Sequence, residues 1–296
     1  MKLAGSEEQK ERWLPRLACG EWLAAYALTE AGSGSDSAAM RTEARLVGDE
    51  YVLSGSKRFI TNAGVANVYV VFAKTDPSAG HSGISAFVVP SDASGFEVGR
   101  LEPKMGIKGS TTGELFFNEC RIPADNLLGE EGEGFKIAMR ILDRSRPGVA
   151  AQGLGLAQGA TDYALDYAKS RETMGKPIAE HQLIAGMLAD METKCEAARG
   201  VLYKVGAMID EDAPPEEITK ISAMAKLLCT DVAMEVTTDA VQILGGYGYI
   251  QEYPLERMMR DAKITQIYEG TNQIQRLVIA REMLKENRAF LLAGVG

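Results

Sequence analysis

Glu269 is the side chain in this sequence that is best placed to do acid–base chemistry. It lies within residues 264–273, next to a glycine and between two stretches of helical pattern. A carboxylate in apolar company, which Ile264 and Ile267 would supply here, can serve as a general base. The alternative is that Glu269 caps the helix that starts near Thr271, and for an arbitrary Glu that alternative would be preferred.

Two further runs of residues could bind a ligand. Residues 26–36 read as a strand that breaks into a loop of small residues, with hydroxyls that include Thr29 and Ser35. The backbone N–H groups of such a loop can approach a ligand's oxygens closely, although a plain surface turn would have the same composition. Residues 57–64 join an aromatic, a hydroxyl and an amide at a strand end, where Phe59 taken alone would be interpreted as core.

The composition argues against several classes of function. The net charge of −9 does not suit a nucleic-acid-binding protein, because phosphate contacts need a surplus of Lys and Arg. No apolar run approaches the ~20 residues that a membrane span requires. The chain has 2 histidines and 4 widely spaced cysteines, so we expect no metal site. This cysteine usage suits the cytoplasm or another reducing compartment.

The elements that would position these residues change in type along the chain. Residues 1–21 predict a helix that opens with a capping box of Ser6 and Gln9. Residues 22–130 predict a β domain, because regularly spaced short strands separated by turn residues are typical of a barrel or a sandwich. The predicted strands include a hairpin over residues 46–53 and the runs 67–72, 84–89 and 113–117.

From residue 131 to residue 296 the period of the pattern is helical. Apolar residues between Ile184 and Ile209 recur at steps of three and four, which predicts the buried face of one long helix. Pro214 and Pro215 separate that helix from the next, and Gly245 with Gly246 stops the third. The predicted fold is therefore α and β multidomain, a middle β-barrel or sandwich followed by a C-terminal α-helical bundle.

Taken together, in this order and in this β-then-α setting, the runs resemble the acyl-CoA dehydrogenase family closely. Residues 26–36 are similar to one family signature, and Ala31 departs from it only where many relatives carry Pro. The similarity extends over essentially the whole chain. Its other matching runs are residues 104–106, 142–146, 242–246, 260–262 and 268–271.

The resemblance implies an FAD enzyme that oxidises an acyl-CoA thioester to trans-2-enoyl-CoA. Glu269 matches the family's base, which removes a proton from the carbon beside the thioester carbonyl while hydride passes from the β-carbon to flavin N5. Relatives that carry the base on another helix lack this Glu, so the chain resembles the commoner branch.

The resemblance also assigns binding roles to individual positions. Arg171 and Thr173 match a pair that reaches the FAD diphosphate from a neighbouring subunit, although an Arg at a helix end can simply complement the helix dipole. The positions that match FAD contacts are Tyr26, Leu28, Thr29, Ser35, Phe59, Thr61, Arg171, Thr173, Gln182, Gln242, Gly245, Gly246, Thr271 and Gln273. The positions that match substrate contacts are Ser35, Asp143, Arg146, Tyr268 and Gly270.

The partners that the resemblance implies are an acyl-CoA substrate, an electron-transfer flavoprotein and further copies of the chain, as a dimer or tetramer. The expected location is the cytoplasm, or the mitochondrial matrix of a eukaryote. Family members usually carry a helical domain before the point where this sequence begins, and residues 1–21 would be its remnant. Two alternatives stay open: a flavin acyl-CoA oxidase, and a non-catalytic or incomplete subunit that a partner chain completes.

Overall fold

The computed structural model describes residues 1–285 of the chain. The chain divides into two compact units, Met1–Ile141 and Leu142–Gly296. The predicted order, a β-rich part followed by a helical part, is confirmed. The predicted domain limits of 1–21, 22–130 and 131–296 stay predictions, and the end of the last one, residues 286–296, lies outside the described residues.

The first unit contains one α-helix, eight strands and the start of a second α-helix, with short 3-10 turns between them. These elements are α1 (Glu7–Ala18), β1 (Ala24–Ala27), β2 (Glu43–Val47), β3 (Glu50–Thr61), β4 (Val68–Lys74), β5 (Ile84–Pro90), β6 (Phe96–Leu101), β7 (Thr112–Pro123), β8 (Leu127–Leu128) and the first residues of α2 (Gly134–Ser170). The predicted capping box is confirmed, since the Ser6 side chain accepts from the backbone N–H of Gln9 and the Gln9 side chain accepts from the backbone of Ser6.

The strands form one sheet in the order β6-β7-β3-β2-β4-β5-β8, and β1 pairs in parallel with β4. Strand β4 is buried on both faces, which its continuous apolar run reflects. Tyr69 and Val71 belong to the core on one face, whereas Val70 and Phe72 belong to the core on the other. Trp13 of α1 lies in that second core, so the helix covers one side of the sheet.

The hairpin predicted near residue 48 is confirmed. Strands β2 and β3 are antiparallel, and Leu46 faces Tyr51 across the turn. Gly48 has a φ of 67°, a left-handed conformation that glycine adopts without a side-chain clash. Strand β3 continues to Thr61, so the same strand that leaves this turn delivers the predicted ligand-binding run 57–64 at its far end.

The second unit is helical. After α2 its elements are the short strands β9 (Glu172–Thr173) and β10 (Lys176–Pro177), then α3 (Gln182–Asp210), α4 (Pro215–Leu244), α5 (Gly246–Tyr249), α6 (Leu255–Thr265) and α7 (Asn272–Lys285). The predicted buried face of α3 is confirmed, because Met191, Cys195, Ala198 and Val205 are buried in the core of this unit.

The predicted end of α4 at the glycine pair is confirmed. The helix ends at Leu244, and Gly245 follows it with a φ of 59°. Gly246 does not extend the break, because it is the first residue of the short helix α5. A single glycine with a positive φ is therefore enough to redirect the chain here.

No helix in residues 1–285 is long and apolar enough to cross a membrane. The same residues contain no group of three or more acidic, His or Cys side chains arranged to hold a metal ion. The four cysteines, all of which lie in the described part of the chain, are free thiols.

Candidate functional site

The turn between α6 and α7 presents Glu269 in an uncommon backbone conformation. Glu269 has a φ of 56° and Gly270 a φ of 86°, so two consecutive residues are left-handed. A side chain other than glycine in this region costs of order 1–3 kcal/mol and persists only where its surroundings fix it. A Cβ on residue 270 would lie 2.7 Å from the Gln275 amide nitrogen, so the second position of this turn also favours glycine sterically.

The carbonyl groups of this turn accept hydrogen bonds from buried side chains. Gln275 Nε2 donates to the carbonyl oxygens of Glu269 and Gly270, at 3.2 and 2.9 Å. Lys226 Nζ, on α4, donates to the Gly270 oxygen at 2.9 Å and to Asn272 Oδ1 at 2.8 Å. Lys226 and Gln275 are both fully buried. The turn is thus held from α4 on one side and from α7 on the other.

The carboxylate of Glu269 accepts a hydrogen bond from Ser145 Oγ at 2.6 Å. It is Thr271 that caps α7, since its Oγ1 accepts from the backbone N–H of Ile274 at 3.3 Å. The apolar approach predicted from the sequence is only partly present, because Ile267 is 49% exposed. The half-buried carboxylate therefore has a polar neighbour and an open side.

The predicted substrate positions of the second unit lie around this turn. Arg146 is 4% exposed and donates to Asp143 Oδ1 at 2.6 Å, and the charge of Glu269 also acts on it. Burial lowers the pKa of Arg146, and Asp143 partly offsets that effect. Its Nε atom has no hydrogen-bond partner among the described residues. The Tyr268 hydroxyl donates to the side-chain oxygen of Gln152, and burial raises the pKa of Tyr268.

A cavity of about 430 Å³ in the second unit brings several predicted FAD positions together. Its lining includes Arg171, Thr173, Gly245 and Gly246, beside Tyr167, Ile243 and Tyr247. The Arg171 guanidinium lies 5.6 Å from the centre of the Tyr247 ring. The sequence reasoning missed Tyr247, although it directly follows the glycine pair that the reasoning had singled out.

The remaining predicted FAD positions of this unit are exposed or lie at the base-bearing turn. Gln182 and Gln242 are exposed, at the start of α3 and near the end of α4. Gln273 is exposed on the first turn of α7, and Thr271 is half-buried as its cap. None of these four lines the cavity that Arg171 lines.

In the first unit, a buried ion pair ties together the two runs predicted to bind a ligand. Lys57 Nζ donates to Glu30 Oε1 at 2.8 Å and to the Leu28 carbonyl oxygen at 3.1 Å. The backbone N–H of Arg58 donates to the Thr29 carbonyl oxygen at 2.8 Å. The sequence reasoning missed Glu30 and Lys57, and the only signal was that both stand inside the singled-out runs.

Both charges of this pair are strongly influenced by burial. Burial lowers the pKa of Lys57 to about 8, although Glu30 opposes that shift. Burial also opposes the ionisation of Glu30, but the charge of Lys57 and the hydrogen bonds to the carboxylate outweigh it and lower the pKa of Glu30. Those further hydrogen bonds come from the backbone of Arg41 and from Thr42. The carboxylate is therefore fully satisfied as an anion.

Several predicted ligand positions of the first unit are open to solvent. Phe59 is 58% exposed and has a φ of 58°, so the interpretation of Phe59 as core is wrong. Ser35 and Thr61 are exposed as well, whereas Leu28 is buried and Tyr26 is half-buried against Phe72, their rings 5.0 Å apart.

These features fit the parts of a flavin dinucleotide. An aromatic ring that a strained backbone holds in solvent offers an apolar face to a planar ring system. A cavity with an Arg and two glycines offers a charged donor and close backbone approach to a diphosphate. The individual contacts remain predictions.

Two family models match the chain. The model of the acyl-CoA dehydrogenase middle domain matches residues 25–120, and that of the acyl-CoA dehydrogenase C-terminal domain matches residues 132–284. Cyclohexane-1-carbonyl-CoA dehydrogenase of Geobacter metallireducens is 52% identical over 282 residues, which are 95% of this chain and 73% of that relative.

Solved structures are similar to this chain over the same large share of its length. Butyryl-CoA dehydrogenase from Megasphaera elsdenii is 50% identical with a TM-score of 0.93, over 96% of this chain and 73% of that one. A chain from work on the electron transferring flavoprotein of Acidaminococcus fermentans is 52% identical with a TM-score of 0.94, over 96% and 74%. A protein described as an FAD-dependent dehydrogenase is 34% identical with a TM-score of 0.91, over 95% and 74%.

Proposed function

The chain belongs to the acyl-CoA dehydrogenase family, whose members are flavoprotein oxidoreductases acting on a CH–CH group, and on that premise we propose that it binds FAD and oxidises an acyl-CoA thioester to trans-2-enoyl-CoA. The observation that carries the proposal is the turn that presents the Glu269 carboxylate in a left-handed conformation. Such strain is typical of a residue that a site needs in one orientation.

Glu269 acts as the base that removes a proton from the carbon beside the thioester carbonyl. Its carboxylate is half-buried, and Ser145 fixes one of its oxygens. A carboxylate in water is far too weak to remove such a proton, so donors placed at the carbonyl oxygen must stabilise the enolate charge as it develops. The substrate contacts proposed for this step are Ser35, Asp143, Arg146, Tyr268 and Gly270.

Bound FAD would supply the oxidant, accepting the β-hydrogen together with its electron pair. The proposed flavin contacts of the first unit are the exposed side chains of Phe59 and Thr61 and the loop in residues 26–36 that contains Thr29. Arg171 and Thr173, which line the cavity of the second unit, are proposed to bind the FAD diphosphate of a neighbouring subunit. A complete site on this scheme requires a homo-oligomer, a dimer or a tetramer.

The proposed electron acceptor is an electron-transfer flavoprotein. A relative of 52% identity comes from work on such a flavoprotein, which favours this acceptor over oxygen. We place the reaction in the cytoplasm, where free thiols such as those of this chain persist. The acyl group of the substrate is left to experiment, since one relative is named for a cyclohexane-1-carbonyl group and another for butyryl.

The test of this function is the visible spectrum of the purified protein reconstituted with FAD. A panel of acyl-CoAs, including butyryl-CoA and cyclohexane-1-carbonyl-CoA, is added without oxygen. We expect flavin absorbance in the starting protein and bleaching by at least one member of the panel. A protein that retains no flavin, or whose flavin no acyl-CoA bleaches, would overturn the proposal.

A second measurement separates the dehydrogenase from the oxidase. The bleached protein is mixed either with oxidised electron-transfer flavoprotein or with air-saturated buffer. The dehydrogenase predicts rapid reoxidation by the flavoprotein and little hydrogen peroxide. Rapid formation of hydrogen peroxide in stoichiometric amount would favour the oxidase instead.

A further inference from the structure

We propose that Lys226 and Gln275 are positioning residues for catalysis: they hold the carbonyl groups of the base-bearing turn, so that Glu269 is aimed at the α-proton of the substrate. This inference rests on the proposed function, in which Glu269 is the base. Neither residue belongs to the predicted substrate or FAD contacts, and both are fully buried behind the turn.

The first step of the argument is the direction of the hydrogen bonds. Gln275 reaches the carbonyl oxygens of Glu269 and Gly270, and Lys226 reaches the Gly270 oxygen from the opposite helix. A carbonyl group fixes the plane of its peptide, so these bonds fix the peptides that follow Glu269 and Gly270. Gln275 therefore restrains the ψ of Glu269, and Gln275 and Lys226 together restrain the ψ of Gly270 and with it the orientation of the turn.

The second step is that only one of the two polar atoms of the Gln275 side chain makes hydrogen bonds. Its Nε2 atom makes both bonds to the turn, while its buried Oε1 atom has no hydrogen-bond partner among residues 1–285. A buried polar atom without a partner is costly and calls for an explanation. The donation to the turn supplies that explanation, because an apolar side chain of similar size would avoid the cost but lose both bonds.

The third step concerns the hydrogen bonds that connect Lys226 and the turn to helix α4. Its second acceptor, Asn272, donates in turn to Thr230 Oγ1 at 2.9 Å and to Asp231 Oδ1 at 2.6 Å. Lys226, Thr230 and Asp231 all lie on α4, within the long helical core of the unit. The turn is therefore attached by these hydrogen bonds to a long helix. Such rigid support can hold a reacting group within a fraction of an ångström of its productive position.

A purely structural role would have a different signature. If the network only stabilised the fold, removing one donor would lower the melting temperature and leave the chemical step unchanged. If it aims the base, a shift of the carboxylate by about 1 Å lowers the rate of that step by up to about 100-fold. Proton removal from the α-carbon would then also become a larger part of the barrier.

The experiment compares FAD-loaded Lys226→Met and Gln275→Met with the parent, using the acyl-CoA that bleaches the parent flavin. Rapid mixing gives the rate constant of flavin reduction and the apparent Kd of the acyl-CoA, with ordinary and α-deuterated substrate. We expect reduction to slow by about 10- to 100-fold, the Kd to change by less than about threefold, and the α-deuterium isotope effect to rise. Gln275→Met decides the question alone if Lys226→Met does not fold.

Thr237→Val is the matched control. Thr237 is equally buried on α4, and its hydroxyl donates only to the Ala233 and Met234 carbonyl oxygens of the same helix, at 2.6 and 3.4 Å. This variant should reduce flavin at the parent rate with the parent isotope effect. A slowing as large as that of Lys226→Met would overturn the inference.

Glu269→Gln distinguishes failure of the inference from failure of the proposed function. If Glu269→Gln is slow but both positioning variants keep the parent rate, or slow only through a weaker Kd, the positioning role is wrong and the base stands. If Glu269→Gln keeps the parent rate, the base assignment is wrong, and the inference is overturned with it.

Discussion

Lys57 in the first unit and Lys226 in the second are both fully buried, and each lies behind a segment that carries predicted site residues. Burial lowers the pKa of each to about 8. The two units satisfy these ammonium groups differently. Lys57 meets the carboxylate of Glu30 at 2.8 Å, whereas Lys226 donates only to the neutral oxygens of Gly270 and Asn272.

This difference in hydrogen-bond partners corresponds to different roles of the two segments that the lysines contact. In the first unit the ion pair cancels two buried charges and fastens residues 26–36 to strand β3. In the second unit neutral oxygens accept the hydrogen bonds of the cation, and its charge interacts with those of Asp231, Arg146 and Glu269. Lys57 therefore joins two segments of the first unit, whereas Lys226 also places a positive charge near the proposed base.

The largest stability effect should follow from breaking the ion pair. Lys57→Met leaves Glu30 as a buried carboxylate without its counter-charge, which typically costs 3–5 kcal/mol, so we expect the free energy of unfolding to fall by about 4 kcal/mol. Urea denaturation of the apoprotein at pH 7 measures it. The exposed Lys108 provides the control, since Lys108→Met should change the free energy by less than about 0.5 kcal/mol.

The double variant Glu30→Gln/Lys57→Met tests whether the two side chains stabilise the fold as a pair. It removes the stranded charge, so it should regain part of the stability that Lys57→Met loses. A double variant that is less stable than the parent by the full sum of the two single effects would show that the two side chains do not act as a pair.

A smaller loss of stability is expected for the second lysine. Lys226→Met leaves only neutral acceptors without their donor, and each such group costs about 1–3 kcal/mol, so the variant should lose about 2 kcal/mol. The measurement is the same urea titration, with Thr237→Val as the comparison on the same helix. A loss as large as that of Lys57→Met would contradict the distinction between the two lysines.

The pH dependence of stability should reveal the smallest of these effects. The pKa of Lys226 is about 8 in the folded chain and about 10.4 in an unfolded one, so between these values the unfolded state binds more protons. Stability from this group therefore rises as the pH increases, by about 1 kcal/mol between pH 7 and pH 9. The parent and Lys108→Met should show the rise from both buried lysines, because the pKa of Lys57 is lowered to about the same value, whereas Lys226→Met should keep only the share of Lys57. Parallel curves for parent and Lys226→Met would contradict the lowered pKa.

The sequence predicted those features that depend on neighbours along the chain. The Ser6 capping box, the hairpin at Gly48 and the buried face of α3 are local patterns of spacing and residue type, and the structure confirms all three. The family resemblance, drawn from short runs such as residues 26–36, is likewise confirmed.

The sequence could not predict contacts that join distant parts of the chain. Glu30 and Lys57 are 27 residues apart, and Ser145 and Glu269 are 124 apart, so no periodicity links them. The exposure of Phe59 was missed for a related reason: hydrophobic pattern predicts burial, but a positive φ turns this side chain away from the face that the pattern assigns to it.

The most direct test of the account is the reduction of bound flavin by acyl-CoA in the Glu269→Gln variant. Amide and carboxylate have nearly the same shape, so the turn, the FAD and the affinity for acyl-CoA should be retained while the base is lost. Rapid mixing without oxygen should show flavin reduction slowed by about 10²- to 10⁴-fold, with an unchanged starting spectrum. A Glu269→Gln protein that reduces its flavin at the parent rate would contradict the role of Glu269 as the base.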